Sequence, residues 1–532
     1  MLENDSRFDL IVIGGGINGA AIAREAALMR HDVLLLERDD FGSGTSATST
    51  RLIHGGLRYL EHAEFSLVYE SLSERERLLK TAPHLVYPLE IYLPLTASSR
   101  RGPLTIRLGM TLYDLLSIRK SLPRHRMLSR DEMLGALPGL DSEKVVGGAA
   151  YFDAQVQFPE RLVLENALDA EAAGATLAPR TAARELLVES GVIRGVAWES
   201  GAGRGHALAA VVVNAAGPWV DDVLGPLSDT RLIGGTKGSH LIAEAFNGAP
   251  PNAVYAEATS DGRPFFVIPW NGLYLIGTTD ERYVDDPADA RISESEFNYL
   301  IAETRHLFPS ASDLEDRVCY TCAGVRPLPP TEGVSEGAIT RRHIIEPHPR
   351  VDGLYSVIGG KLTTHRALAH DCMRKLRRRL PVAHESPTAD RPLPGALESD
   401  ERDSLLDDLG RSFGAPTANR LWQVYGGVSL DLARRVSETK ELGQRVGPNS
   451  DLIVAELVHS IEREHAISLA DLFLRRTMAG AQADLGRPSA QLAADWLVRL
   501  GIWDKTRASD EVEAYRRVLR RYAVPAPWGR SG

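Results

Sequence analysis

The sequence predicts an α/β chain: a Rossmann-type domain on a parallel sheet, an antiparallel-sheet capping domain interleaved with it in sequence, and an all-helical C-terminal domain. Three observations predict this. Residues 8–19 pass from an apolar strand into Gly14-x-Gly16-x-x-Gly19, and residues 232–279 read as successive strands with an Asn271-Gly272 turn signal. Beyond a connector spaced by Pro381, Pro387, Pro392 and Pro394, nearly everything reads as helix.

The first element is the most informative. The apolar strand ends at Gly14, a helix opens, and a second apolar run from Asp32 delivers Glu37. This is the order of a Rossmann-type nucleotide-binding unit. Gly14 permits the tight turn, Gly16 lets the backbone approach a pyrophosphate, and Gly19 lets helix and strand pack closely. The helix N-terminus offers unpaired N–H groups to the phosphates. Glu37 is placed to accept hydrogen bonds from adenosine ribose hydroxyls and to repel a 2′-phosphate, which disfavours NADP. A bound ADP-containing dinucleotide is therefore expected.

The loop after this unit, residues 41–50, is rich in Ser, Thr and Gly, including Ser46, and so suggests backbone pressed against a ligand. A basic and aromatic cluster follows from Arg51 to Tyr59. Residues 64–81 read as a helix, and Pro159 opens another, as proline does in a first helical turn. The apolar run ending in Asn214-Ala-Ala-Gly217 reads as the chain returning to the nucleotide domain. Residues 353–365 supply a further strand, the Gly359-Gly360 turn and a helix opening at Thr363 or Thr364.

At 532 residues the chain exceeds one ordinary hydrophobic core, so two or three domains are expected. Sixty-one Lys+Arg against 71 Asp+Glu give a formal net charge of −10, which argues against nucleic acid as a partner. The three cysteines, Cys319, Cys322 and Cys372, suit a reducing compartment. Cys319 and Cys322 read as strand residues rather than a metal or redox pair, and no metal site is expected. With no signal-like segment and no apolar run of membrane-spanning length, a cytoplasmic protein is expected, peripheral on the cytoplasmic membrane at most.

In these segments the chain resembles the FAD-dependent, quinone-linked glycerol-3-phosphate dehydrogenases. The resemblance rests on residues 13–19, Arg51-Leu-Ile-His-Gly-Gly-Leu-Arg-Tyr-Leu-Glu61, Lys237-Gly-Ser-His240, Ala323-Gly-Val-Arg-Pro-Leu328 and Gly359-Gly-Lys-Leu-Thr-Thr364, in the family's order. It implies non-covalent FAD, oxidation of sn-glycerol 3-phosphate to dihydroxyacetone phosphate, and a membrane quinone as electron acceptor. It also implies an FAD domain interleaved with a substrate-capping sheet over residues 1–390, the sheet lying largely in 85–150 and 225–330. A helical domain over 391–532 completes the expectation. An oxygen-using oxidase remains the enzymatic alternative, a flavin-binding scaffold the non-enzymatic one, and a homodimer is left open. Two segments depart from the pattern: Arg341-Arg-His-Ile is less standard, and the tail beyond Tyr522 has no family counterpart. No Asp-x-Asp-x-Asp-Gly calcium loop occurs near the C-terminus.

A phosphate monoester needs converging cations, which nominates Arg326, Arg341 and Arg51, with Lys361 beside them. The proton on the C2 hydroxyl needs a base. His240 and His54 are the candidates, with His240 placed first. Lys361, Leu362 and the helix opening at Thr363 are expected at the flavin's pyrimidine end, with Gly360 and Gly217 allowing close backbone approach. The arginine-rich run 374–379 reads either as a solvated helix face or as a lipid-facing one.

Overall fold

The computed structural model describes residues 2–526 other than 118–120, 332, 334–338, 382–383 and 449. The strand Ser6–Ile13 lies centrally in a sheet ordered 344–347, 354–358, 203–214, 6–13, 33–36, 176–178. All neighbours in that series are parallel except the edge strand Ile344–Pro347. Leu10 to Val12 and the strand Val33–Leu36 are buried on both faces, which is why they read as unbroken apolar runs rather than alternating ones. The helices Ile17–Leu28, Pro159–Ala172 and His365–Leu376 cover one face and share its hydrophobic cluster. A three-stranded antiparallel extension, Thr181–Glu189, Val192–Ser200 and Gly203–Asn214, lies beyond it.

The second sheet has ten strands, contributed by residues 52–53, 86–96, 126–129, 145–156, 236–282 and 318–326. It is antiparallel throughout except where Ala253–Glu257 meets Val86–Thr96. Asn271 and Gly272 take φ of 52° and 76°, the left-handed pair that a two-residue hairpin needs, between Pro264–Trp270 and Leu273–Gly277. The strand Val318–Arg326 carries Cys319 and Cys322, both free thiols.

From Ser399–Phe413 to Lys505–Leu519 the chain is helical. These helices do not stand apart: Leu421, Phe473, Leu497 and Tyr515 belong to one hydrophobic cluster with Leu93, Trp270 and Tyr320 of the antiparallel sheet. No helix among the described residues is long and apolar enough to cross a membrane.

Candidate active site

Sheet ends and loops converge on a cavity of about 930 Å³. At one end the strand Ser6–Ile13 stops and Gly14 turns with φ +106°, a conformation that disfavours a side chain. A Cβ on Gly19 would lie 1.8 Å from the Gly14 carbonyl oxygen, so helix and strand meet there only because no side chain intervenes. Gly16 and Ile17 open the helix into the cavity, and the Ile17 N–H donates to Ser46 Oγ at 3.1 Å. Glu37 also lines the cavity. Its oxygens accept from Gly15 N (2.6 Å) and Asp39 N (2.8 Å), yet burial pushes the carboxyl up to about 7 against those two bonds. A half-buried carboxyl beside a glycine turn and a helix N-terminus suits the ribose and pyrophosphate of an ADP moiety.

The cavity continues past Thr45, Thr48 and Ser49 to Gly217, Gly324, Gly360, Lys361 and Leu362. The small-residue loop is pressed against the antiparallel sheet: Thr45 Oγ1 donates to Val325 O at 2.6 Å, and a Cβ on Gly324 would lie 1.8 Å from Thr48 Oγ1. Asn18 lines this region with its Oδ1 buried and without a partner among the described residues. The helix expected at Thr363 opens as a short 3₁₀ turn, Leu362–Thr364, before the α-helix His365–Leu376. Thr363 is buried behind the cavity wall and accepts from His54 N at 3.2 Å.

Beyond Lys361 the cations gather. Lys361 Nζ donates to Ser71 Oγ at 2.9 Å, reaches His54 O at 3.4 Å and stands 4.7 Å from the centre of the Tyr59 ring. Burial lowers its pKa to about 7, with Arg341 adding to the effect and Asp153, Glu70 and Glu64 opposing it. Arg326 donates to Asp280 Oδ1 (3.0 Å) and Thr278 Oγ1 (3.0 Å), and Arg341 donates to the other Asp280 oxygen at 3.1 Å. Arg341 Nη1 is buried without a partner among the described residues. Tyr59 feels both arginines. One carboxylate thus organises two guanidinium groups and leaves an unused donor, an arrangement that favours a further anion.

Two nominated residues sit apart from the other candidates. Arg51, nominated for phosphate, is instead held by Glu160 through two hydrogen bonds of 3.0 and 2.8 Å and lies over the Trp270 ring. Its charge is matched there, outside the cation group. His240, placed first as base, is 1% exposed and sealed in the sheet, with Nε2 3.0 Å from Thr50 Oγ1. Burial, then Arg326 and Arg51, lower its pKa to about 3. His54 is the more accessible ring, half-buried beside Lys361, its pKa lowered to about 4 by burial and then by Lys361.

Three participants escaped the sequence reading. Tyr59 lay inside a segment already singled out. Asp280 had no local signal, because its importance comes from two arginines 46 and 61 positions away. Asn18, inside the glycine motif, was read only as part of the helix opening. Among the described residues no group of three or more His, Cys, Asp or Glu side chains is placed to hold a metal ion.

Residues 9–419 match the family of FAD dependent oxidoreductases, and residues 386–508 match the C-terminal domain of alpha-glycerophosphate oxidase. A glycerol-3-phosphate dehydrogenase of Synechocystis sp. is 41% identical over 98% of this chain and 98% of the relative. A D-erythritol 1-phosphate dehydrogenase of Brucella abortus is 36% identical over 88% of this chain and 94% of its own length. The crystal structure of the glycerol-3-phosphate dehydrogenase from Bacillus halodurans, complexed with FAD, superposes with a TM-score of 0.79 at 27% identity, covering 98% of this chain and 96% of that one. With a glycine turn, the half-buried Glu37 and Lys361 all lining one cavity, this chain belongs to the FAD-dependent glycerol-3-phosphate dehydrogenase family and is an FAD-dependent oxidoreductase.

Proposed function

We propose that the chain oxidises sn-glycerol 3-phosphate to dihydroxyacetone phosphate and passes the electrons to a membrane quinone. The observation that carries the substrate reading is the buried Arg341 Nη1, without a partner among the described residues, on the same Asp280 as Arg326 and felt by Lys361, a donor set suited to a phosphate dianion. Bound FAD supplies the hydride acceptor for C2. Arg326, Arg341 and Lys361 hold the phosphate, and His54 takes the proton that leaves the C2 hydroxyl. His54 suits this because burial keeps its ring neutral at pH 7. The cavity's Gly14, Gly16, Glu37, Ser46, Gly217, Gly360 and Leu362 hold the cofactor.

Lys361 gives the substrate step a pH signature. With a pKa near 7, its ammonium is present below that value and lost above it, so the KM for glycerol 3-phosphate is expected to rise between pH 7 and 9. Lys361→Arg, which stays charged, should flatten that rise. Superimposable KM profiles for the two proteins would remove Lys361 from the phosphate site.

The membrane reading draws on the helix Pro103–Leu116, whose Leu104, Leu108 and Leu115 are 81%, 72% and 59% exposed. Their spacing puts them on one stripe, with exposed Arg100 and Arg107 nearby, which suits insertion into an anionic bilayer surface. The test is anaerobic. Glycerol 3-phosphate should bleach the flavin absorbance, and D-erythritol 1-phosphate should do so far more slowly. Quinone in anionic vesicles should then restore the colour faster than oxygen does, and Leu108→Asp should slow that step alone. Faster recovery with oxygen would favour an oxidase, and faster bleaching by the erythritol ester would overturn the substrate.

A further inference from the structure

The segment that presents Glu37 is gripped from the far end of the chain. Asp40, three residues on, is 1% exposed. Arg476 Nη2 and Nη1 donate to its two oxygens at 2.7 and 2.8 Å, and Arg475 Nε donates to it as well. Both arginines come from a single π-helical turn, Leu472–Arg476, closed by the Thr477 N–H on Leu472 O. Such wide turns inside helices often mark functional positions. Arg475 also donates to Asp471 at 2.6 Å, and Asp471 accepts from Arg180 at 2.5 Å.

Arg180 closes the circuit back to the cofactor cavity. Its N–H donates to Asp39 O at 2.9 Å, and the next N–H, from Thr181, donates to Glu37 O at 2.8 Å. Glu37 in turn accepts from Asp39 and from Gly15 of the glycine turn. An unbroken series of hydrogen bonds thus runs from the C-terminal helices to the backbone expected to meet the pyrophosphate. The same helices form part of the cavity wall: Ile467, Ser468, Ala470, Glu511, Ala514 and Val518 all line it. Three of these lie beyond residue 508, where the match to the C-terminal family domain ends.

We propose that the C-terminal helical domain is a working part of the dinucleotide site: through Asp40 and Arg180 it positions the Glu37 segment, and its helices wall the adenosine end of the cavity. Asp40, Arg180, Arg475 and Arg476 are positioning residues, acting on the cofactor through Glu37. The proposal does not depend on which substrate is oxidised.

The test uses full-length apoprotein stripped of flavin. FAD and ADP are titrated calorimetrically into wild type, Asp40→Asn and Arg180→Gln, and melting temperatures are recorded with and without each ligand. Both ligands should bind roughly tenfold more weakly to Asp40→Asn, as loss of a charge-assisted contact implies, with a smaller loss for Arg180→Gln. The rise in melting temperature on adding FAD or ADP should shrink accordingly. A purely architectural role would lower the apoprotein's melting temperature and leave ligand affinity at the wild-type value. Should Asp40→Asn fail to fold, Arg180→Gln, whose side chain is 37% exposed, decides the matter by the same titration. A folded variant with wild-type FAD affinity, or one that loses FAD affinity while keeping that for ADP, overturns the proposal.

Discussion

Replacing His54 with alanine is expected to slow flavin reduction by glycerol 3-phosphate roughly 10²–10⁴-fold in single turnover, the usual contribution of a positioned general base. The visible spectrum of the bound FAD should stay intact. The ring is neutral at pH 7 because burial and then Lys361 hold its pKa near 4, so it is ready to accept a proton. Its backbone is anchored on both sides, by Thr363 and Lys361, which fixes where the ring sits. Raising the pH should partly rescue the variant, since deprotonated substrate needs no base. His240→Ala is the matched comparison. That ring is sealed behind Thr50, and its loss should change the reduction rate less than about tenfold, below the range of a positioned base. The reverse ranking would return the role to His240, and no effect from either would leave an ordered water or a cation to take the proton.

Arg326→Ala is expected to cost about 1.5–3 kcal/mol of substrate binding, read as a KM raised on the order of 10- to 100-fold. The guanidinium is half-buried, and its loss of solvent lowers its pKa, while Asp280 works against that shift. Removing it deletes one phosphate donor and leaves Asp280 with Arg341 as a partner, so the fold should survive. Unphosphorylated glycerol isolates the effect, because it cannot use the phosphate contact. Equal losses with both compounds would make Arg326 a structural residue. Adding Asp280→Asn to the alanine variant should bring back part of the affinity, since a negative charge is then removed from beside the phosphate.

Much of the nucleotide half was readable from local spacing. Strand, Gly14-x-Gly16-x-x-Gly19, helix and Glu37 lie within about 30 residues of chain, the length of one βαβ unit, so turn geometry and apolar runs set their relations directly. The same holds for the helix opened by Pro159 and the hairpin at Asn271-Gly272. The choice of partners was not readable. Nothing local to Arg51 announced that Glu160, 109 positions on, would pair with it. Nor could spacing show that the sheet would bury His240, or that Arg326 and Arg341 would share Asp280. Asp40 was silent in the sequence because its arginines lie 435 and 436 residues away. Spacing along the chain decides local conformation, because backbone geometry reaches only a few residues. Which charges pair, and which rings stay open to substrate, depends on where distant segments meet, and in this protein only the packing of three layers settles that.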